Sequence, residues 1–470
     1  MNKDLPSVLI PRENIEMTNV DIHTEILEPV SATQSRLLFN IKKQAVLSSG
    51  GRLILSVHND DAAADGTCFL TPTAGVGGLI EKATIRAGTT ILATTEEVSD
   101  RYMIDKAVHT ASMRANIDMV LDGAAGCNVS ASPNTDGLLS VSVDSASYTS
   151  STTCVTPARY RPVNSQTACP LYSIGIDDLW PGLKNLNLPV GFMNEQVSIE
   201  ILLRQQQHPQ TGRTIMFDTA PTSTSTSYGL ENCVLHLDYL TYDSATMQRI
   251  QAEVDSEKGM PMTYSDVLVT KSQLPGVAQP AVGATTKVDF TRQVGSSGMR
   301  VNNVIVTERL DGVNVISGIH RSGSPVITPS YNWRFNSTIK YPRALTNPSL
   351  MRNELENVQG FPMSVHNAEY SHDIANDLFT STDGDQNNPF DANVTFNGQP
   401  VNQLLGNYFI HSLNLRRGVG GLGTMIANKN ILYERTDTFS RNDFGTRLIK
   451  FFVDYDKTFT LVKGVVFTSM

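Results

Sequence analysis

The residues that could do chemistry fall into four groups. Gly418-Val419-Gly420-Gly421-Leu422-Gly423 satisfies G-x-G-x-x-G, the spacing that lets a glycine backbone approach a pyrophosphate at a helix N-terminus. That use also needs a helix opening at the third glycine and an acidic residue about 20 positions on. Thr424 to Asn430 and a short β-prone run follow instead, so the glycines read as a turn between antiparallel strands. Asp383-Gly384-Asp385-Gln386-Asn387 opens like a calcium loop, but Asn388 stands where the turn needs Gly and Val394 where the twelfth ligand needs Glu. His366 and His372 are spaced for neither a helical nor a strand-borne metal pair. Cys68, Cys127, Cys154, Cys169 and Cys233 are odd in number and widely spaced, which indicates neither a disulfide framework nor a zinc site.

No H-E-x-x-H, Walker loop or G-x-S-x-G elbow occurs. The sequence therefore assigns no catalytic, cofactor-binding or metal-ligating residue, and the expectation is a non-enzyme without cofactors. Two other readings remain open on the residues alone. One is a β-sandwich glycan- or receptor-binding module, whose stacking aromatics would come from Trp180 and Trp333, the two tryptophans present. The other is a hydrolase on the same scaffold, drawing on the Asp and His residues between 366 and 391.

The elements that would position any such residues are mostly strands. In 470 residues, 18% are charged, below the roughly 25% of an average chain, and 33 Gly and 22 Pro mark many turns. A net charge of −9 has the wrong sign for a surface that tracks phosphate throughout. No window approaches the ~18 apolar residues of a membrane span, and Met1 to Pro6 lacks a signal core, so a soluble, non-secreted protein is expected.

Residues 1–35 read as an extended arm. Leu37 to Leu47 and Leu53 to Val57, separated by Ser48-Ser49-Gly50-Gly51, read as an antiparallel hairpin. Leu79 to Ile85 is β-prone, and Thr94 with Glu97 forms a capping-box pattern ahead of a helix reaching to about Leu121. A Ser/Thr-rich excursion over 122–170 carries one alternating run, Leu139 to Val143. Strands resume at Val197 to Leu203 and Val234 to Leu240, a helix is compatible with Ala245 to Val254, and 247–261 reads as a linker. Further strands are expected at Tyr264–Thr270, Lys287–Phe290, Val301–Val306, Tyr331–Ile339, Asn407–Leu415, Ile431–Tyr433, Leu448–Tyr455 and Phe459–Phe467, with a long loop at 363–404. The halves 36–246 and 262–470 are nearly equal in length without a shared register of identity, which suggests duplication surviving only in architecture. An all-β chain of two sandwiches with a few short helices is the expectation.

Several segments resemble, in order, the double jelly-roll major capsid proteins of tailless double-stranded DNA viruses. That group includes adenovirus hexon and the capsid proteins of algal giant viruses, virophages and polinton-like viruses. Leu79 to Ile85 leading into a helix, Leu188-Pro189 feeding Gln196 to Ile201, and Val234 to Leu240 with Met247-Gln248-Arg249 are similar to the family's first half. Trp333 to Tyr341 with Pro342-Arg343, and Phe459 to Phe467 as a final strand interrupted by Gly464, are similar to its second. The helix lacks the family's tryptophan, and no Asn-Gly precedes the Tyr341-Pro342 turn.

The resemblance implies two consecutive eight-stranded antiparallel jelly rolls. It implies a homotrimeric, pseudo-hexagonal capsomer that tiles an icosahedral shell around a double-stranded DNA genome, in the virion rather than secreted. Its partners would be neighbouring capsomers and minor, cement and penton proteins, with the arm ordering on neighbours and the loops at 122–170 and 363–404 facing outward. An internal membrane is left open. DNA would be met indirectly, or through a small inner basic patch of Arg36, Lys42 and Lys43, residues that also suit a solvated strand face.

Overall fold

The computed structural model describes residues 20–33, 35–59, 68–70, 75–107, 121–122, 128–130, 140–143, 146–148, 171–184, 186–204, 217–218, 228–276, 284, 286–294, 298–310, 330–345, 354, 358, 395–396, 399–400, 410–416, 424–425, 430–439 and 447–469. Its strands form where apolar residues alternate with polar ones. In Val197–Leu203 the residues Val197, Ile199, Ile201 and Leu203 are buried and those between them are partly exposed, the period-two signature of a sheet with one face in a core.

The first half contains β1 (Val20–Leu27), β2 (Ser31–Thr33), β3 (Arg36–Asn40), β4 (Val46–Leu47), β5 (Arg52–Asn59), β7 (Ile80–Ala87), β8 (Thr90–Glu96), β12 (Leu171–Gly175), β13 (Val197–Leu203) and β15 (Tyr228–Tyr242). They make two antiparallel sheets. Sheet 1 runs β1-β15-β5-β12 with β4 also on β15, and sheet 2 runs β2-β3-β13-β7-β8. Short strands β6 (Cys68–Phe69), β9 (Asn128–Ser130), β10 (Ser140–Val143), β11 (Ala146–Tyr148) and β14 (Phe217–Asp218) pair apart from these sheets, β9 to β11 within the Ser/Thr-rich excursion.

The second half contains β16 (Met260–Leu274), β17 (Thr286–Val294), β18 (Arg300–Leu310), β19 (Ser330–Phe335), β20 (Thr338–Ile339), β21 (Thr395–Phe396), β22 (Gln399–Pro400), β23 (Ile410–Asn414), β24 (Thr424–Met425), β25 (Ile431–Phe439), β26 (Arg447–Val462) and β27 (Val465–Ser469). Sheet 3 runs β16-β26-β18-β23, and sheet 4 runs β17-β25-β19-β20. Sheets 1 and 3 share one order. Each starts with its half's opening strand, pairs it with the half's long late strand, and continues inward to earlier and middle strands.

Four sequence expectations change. The expected hairpin does not form: β3 pairs with β13 in sheet 2 while β5 pairs with β15 and β12 in sheet 1. Leu37, Phe39, Leu53 and Leu55 all point into one core, but from opposite sheets, and alternation cannot distinguish a partner beside a strand from one across the core. Thr94 does not cap a helix. It lies inside β8, its Oγ1 3.1 Å from Thr84 Oγ1, and helix α1 (Val98–Ala107) follows a sharp corner at Glu97; residues 108–120 lie outside the described residues.

The segment Phe459–Phe467 is not one strand. Lys463 (φ 49°) and Gly464 (φ 79°) turn the chain, so β27 folds back on β26. Two left-handed residues in succession match the twist of a two-residue hairpin loop, and glycine adopts one of them without steric cost. Finally, the arm is part of the first sandwich from Val20 onward. β1 pairs with β15 from Val20↔Tyr242 to Leu27↔Leu235, and residues 1–19 lie outside the described residues. In the expected linker, a short helix α2 (Ile176–Leu179) having come earlier, α3 (Ser244–Asp255) is N-capped by Asp243, whose side chain accepts from the Thr246 amide at 2.7 Å.

The second core, between sheets 3 and 4, gathers Trp333, Tyr433, Phe451 and Val453. The first core lies between sheets 1 and 2 and continues onto the far side of sheet 3 through Val267, Ile305 and Phe452. Sheet 3 is therefore buried on both faces, and this wall joins the halves.

Candidate assembly surfaces and the seam between the sandwiches

The seam is built from the β8–α1 corner of the first half laid on β16 and β26 of the second. Glu97 sits at φ 54°, a left-handed conformation that costs a non-glycine residue free energy and persists where surrounding contacts fix it. Its buried carboxylate accepts from Arg204 Nη2 at 3.1 Å, from Lys450 Nζ at 2.6 Å and from Lys271 Nζ. Lys450 also reaches Asp100. One turn further along α1, Arg101 forks onto Asp454, Nη1 to Oδ1 at 3.0 Å and Nη2 to Oδ2 at 3.2 Å, a bidentate geometry that adds direction to charge.

Lower on the seam, Lys457 Nζ donates to Leu92 O at 3.0 Å and to Asp266 Oδ2 at 3.1 Å, and Tyr264 donates its hydroxyl proton to Leu92 O. Gly182, following the buried Trp180, lies so close to β16 that a Cβ there would come 1.3 Å from Ser265 O. The apolar surfaces of Val267, Ile305 and Phe452 fill the space between these polar rows.

Charges balance across the junction. Glu97, Asp100, Asp105, Asp266 and Asp454 face Arg101, Arg204, Lys271, Lys450 and Lys457. Burial pushes the Glu97 carboxyl up, but Lys450 and Arg204, with the lysine hydrogen bonds, outweigh it and hold the group well below the usual carboxylate range. For Asp266 and Asp454 burial wins over Lys457 and Arg101 respectively, so both carboxyls are raised. Each of these charges is engaged with an opposite one, which makes the arrangement a clamp.

The outer faces differ in chemistry. On sheet 2, Glu200 lies between Arg36 at 2.7 Å and Arg86 at 2.8 Å, and Lys82 meets Glu96 at 2.8 Å. On sheet 4, Arg334 forks onto Glu434 and Thr436 Oγ1 donates to Asp289 at 2.6 Å. Such cross-strand ladders suit a hydrated surface. Sheet 1 instead exposes Ile22 (68%), Ile26 (59%) and Leu171 (61%), and a second, smaller apolar strip shows Val465 and Phe467 on β27.

The residues singled out from sequence scatter. Arg36 is paired with Glu200, Lys42 with Glu25, and Lys43 donates to Asn194 O, so the three do not act as one free basic patch. Trp180 and Trp333 are buried, 2% and 0% exposed, and Trp180 Nε1 donates to Ala83 O at 3.1 Å; neither offers a face to a sugar. Cys233, on β15, is half-buried, and burial pushes its thiol up to about 11. Residues 418–423, 383–387, His366, His372, Cys127, Cys154 and Cys169 lie outside the described residues. Among the described residues no helix is long and apolar enough to cross a membrane.

Sequence reasoning missed the seam. A signal was available in Leu448-Ile449-Lys450-Phe451-Phe452-Val453-Asp454-Tyr455, where charges two turns of the pleat apart interrupt a run too apolar for a strand with one wet face. Such a strand is buried on both sides, and its charges need partners there.

Sheet order, register and the shared wall define a double jelly roll, the fold of viral major capsid proteins. Solved structures similar to this chain bear this out. A quasi-atomic structure of the PBCV-1 virus capsid aligns with a TM-score of 0.57 at 9% identity, covering 98% of both chains. The cryo-EM structure of the Sputnik virophage aligns at 0.55 and 11% identity, over 99% of this chain and 93% of that one. PBCV-1 VP54, a crystal structure fitted into a reconstruction of the virophage Sputnik, aligns at 0.54 and 9% identity, over 96% and 97%. No family model and no curated protein matches the sequence. At such identities the likeness is one of fold.

Proposed function

We propose that this chain is a structural capsid protein whose twin sandwiches form homotrimeric, pseudo-hexagonal capsomers tiling an icosahedral shell around a double-stranded DNA genome. The observation that carries the reading is the seam: two sandwiches of like strand order are locked by buried, charge-balanced contacts into one block. The fold it shares with the PBCV-1 and Sputnik capsid structures over nearly its whole length supports the same role. A working surface made of walls explains why the seam charges are engaged with one another.

The partners of such a block are neighbouring capsomers and minor, cement and penton proteins, and its place is the virion, after assembly inside the host cell. Contact with the genome is indirect, because Arg36 and Lys42 already face carboxylates of their own chain. Purified full-length protein is expected to sediment as a trimer and to form sheets or shells visible by negative stain. A monomer at every concentration, with no assembly under salt or crowding, overturns the proposal.

A further inference from the structure

Lys450 differs from the other seam cations in the company it keeps. Its side chain is 1% exposed, and its Nζ meets two carboxylates at once, Glu97 Oε2 at 2.6 Å and Asp100 Oδ2. Both carboxylates are buried as well, and both belong to the corner that opens α1, where the amides of Asp100 and Arg101 donate to Glu97 O at 3.1 Å. An amine, a carboxyl group and a second carboxylate are thereby held in contact out of water. Those are the groups that condensing a lysine with an aspartate into an amide requires.

The surroundings favour the nucleophilic form of the lysine. Arg204 and Lys271 share Glu97 with it, so three cations face two carboxylates in this cluster. Lys271 lies directly opposite Lys450 in the β16–β26 register, and like charges placed so repel. Moving the Lys450 proton away relieves that repulsion, and desolvation beside another cation is a general way of turning lysine into an amine nucleophile. The other buried pairs each lack a part. Arg101 faces Asp454 with a guanidinium that keeps its proton. Among the described residues, Lys457 has the carbonyls of Ile91 and Leu92 beside Asp266 in place of a second carboxylate.

We propose that Lys450 and Asp100 join in an intramolecular isopeptide bond that staples the first sandwich to the second, across 350 positions of sequence. The step balances without a co-reactant. The Lys450 ammonium passes one proton to Asp100, the neutral amine attacks Cγ of the resulting carboxylic acid, and a C–N bond forms. The Glu97 carboxylate takes the proton that the attacking nitrogen sheds and hands it to the departing hydroxyl, so the C–O bond breaks and one water leaves. The amide is neutral, so one cation and one anion leave the cluster and Glu97 keeps Arg204 and Lys271. Fixed contact makes the attack unimolecular, and a site closed to water protects the product from hydrolysis.

The test is the intact mass of the denatured full-length protein, expected to lie below the sequence mass by one water. Tandem mass spectrometry of a proteolytic digest is expected to find a branched peptide joining Asp100 to Lys450. The parent protein answers this without any substitution. Glu97→Gln, folded by far-UV circular dichroism, is expected to show the unmodified mass of its own sequence, whereas Lys457→Met is expected to keep the loss of water. A parent at its full sequence mass, a lost water that maps to other residues, or a folded Glu97→Gln protein that still carries the cross-link overturns the inference. None of these readings depends on trimer formation, so the capsid reading stands or falls separately.

Discussion

Glu97 concentrates the chemistry of the seam in one side chain. Three cations converge on it in a buried site, so Glu97→Gln takes one carboxylate charge away from Lys450, Arg204 and Lys271 together. Breaking a buried pair on one side costs about 3–5 kcal/mol, and a melting temperature several degrees lower is the expected reading. The pH dependence has a definite sign. The folded carboxyl titrates below its unfolded value of ~4.3, so its stabilisation is present above that pH and is lost as pH falls toward the folded value. Asp266 and Asp454, raised by burial, work in the opposite sense: their contribution is largest below the unfolded value of ~3.9 and is lost as pH rises through the folded one. Glu97→Gln should therefore flatten the acid limb of a stability–pH curve measured from pH 7 to 3. An acid limb as steep as the parent's would remove Glu97 from this role. Gly182 tests the same junction by shape. Gly182→Ala drives a methyl group into the Ser265 carbonyl, backbone that cannot rotate aside, with an expected loss of about 1–3 kcal/mol by denaturant titration. Gly50→Ala, whose new atom would meet nothing nearer than 3.5 Å, is the control.

Among the elements, the C-terminal hairpin depends most on local chain geometry. Its turn places Lys463 and Gly464 at positive φ, and Asn194 of the first half closes on it, Nδ2 donating to Lys463 O at 2.8 Å and its amide to Gly464 O at 2.7 Å. Lys463→Asn keeps that geometry with a residue better suited to it, and a gain of ~1 kcal/mol in chemical denaturation is expected. Gly464→Ala should be destabilising, since its Cβ would fall 2.5 Å from the Asn194 side chain. Equal stability in both variants would mean the turn contributes nothing to holding the halves together. Hydrophobicity is continuous across the turn from Phe459 to Phe467, so the sequence alone reads as one strand. Only the pair of left-handed residues separates β26 from β27. The missed hairpin of β3 and β5 has a different cause, because their pairing depends on which sheet each enters after the chain crosses at Ala45 (φ 48°).

Over the entire chain, the seam predicts that the two sandwiches unfold as one unit, because sheet 3 supplies walls to both cores. Trp180 lies in the first core and Trp333 in the second, so each tryptophan reports a different sandwich. In Trp333→Phe and Trp180→Phe proteins, the remaining fluorescence and the far-UV dichroism should give coincident transitions. Two separated midpoints within one variant would show that the sandwiches melt independently and that the seam is weak.

Strand content, the near-equal halves and most strand centres were legible along the chain, because alternation of apolar and polar residues is a local consequence of a sheet with one buried face. Val197–Leu203 shows this plainly. Partners were not legible: Lys450 finds Glu97 and Asp100, and Arg101 finds Asp454, across more than three hundred residues, and no spacing encodes such pairs. The tertiary structure also decided which faces are walls and which are joints. A strand's pattern states that a side is buried, but whether its own core, the other sandwich or a second chain buries it depends on how the sheets stack in space.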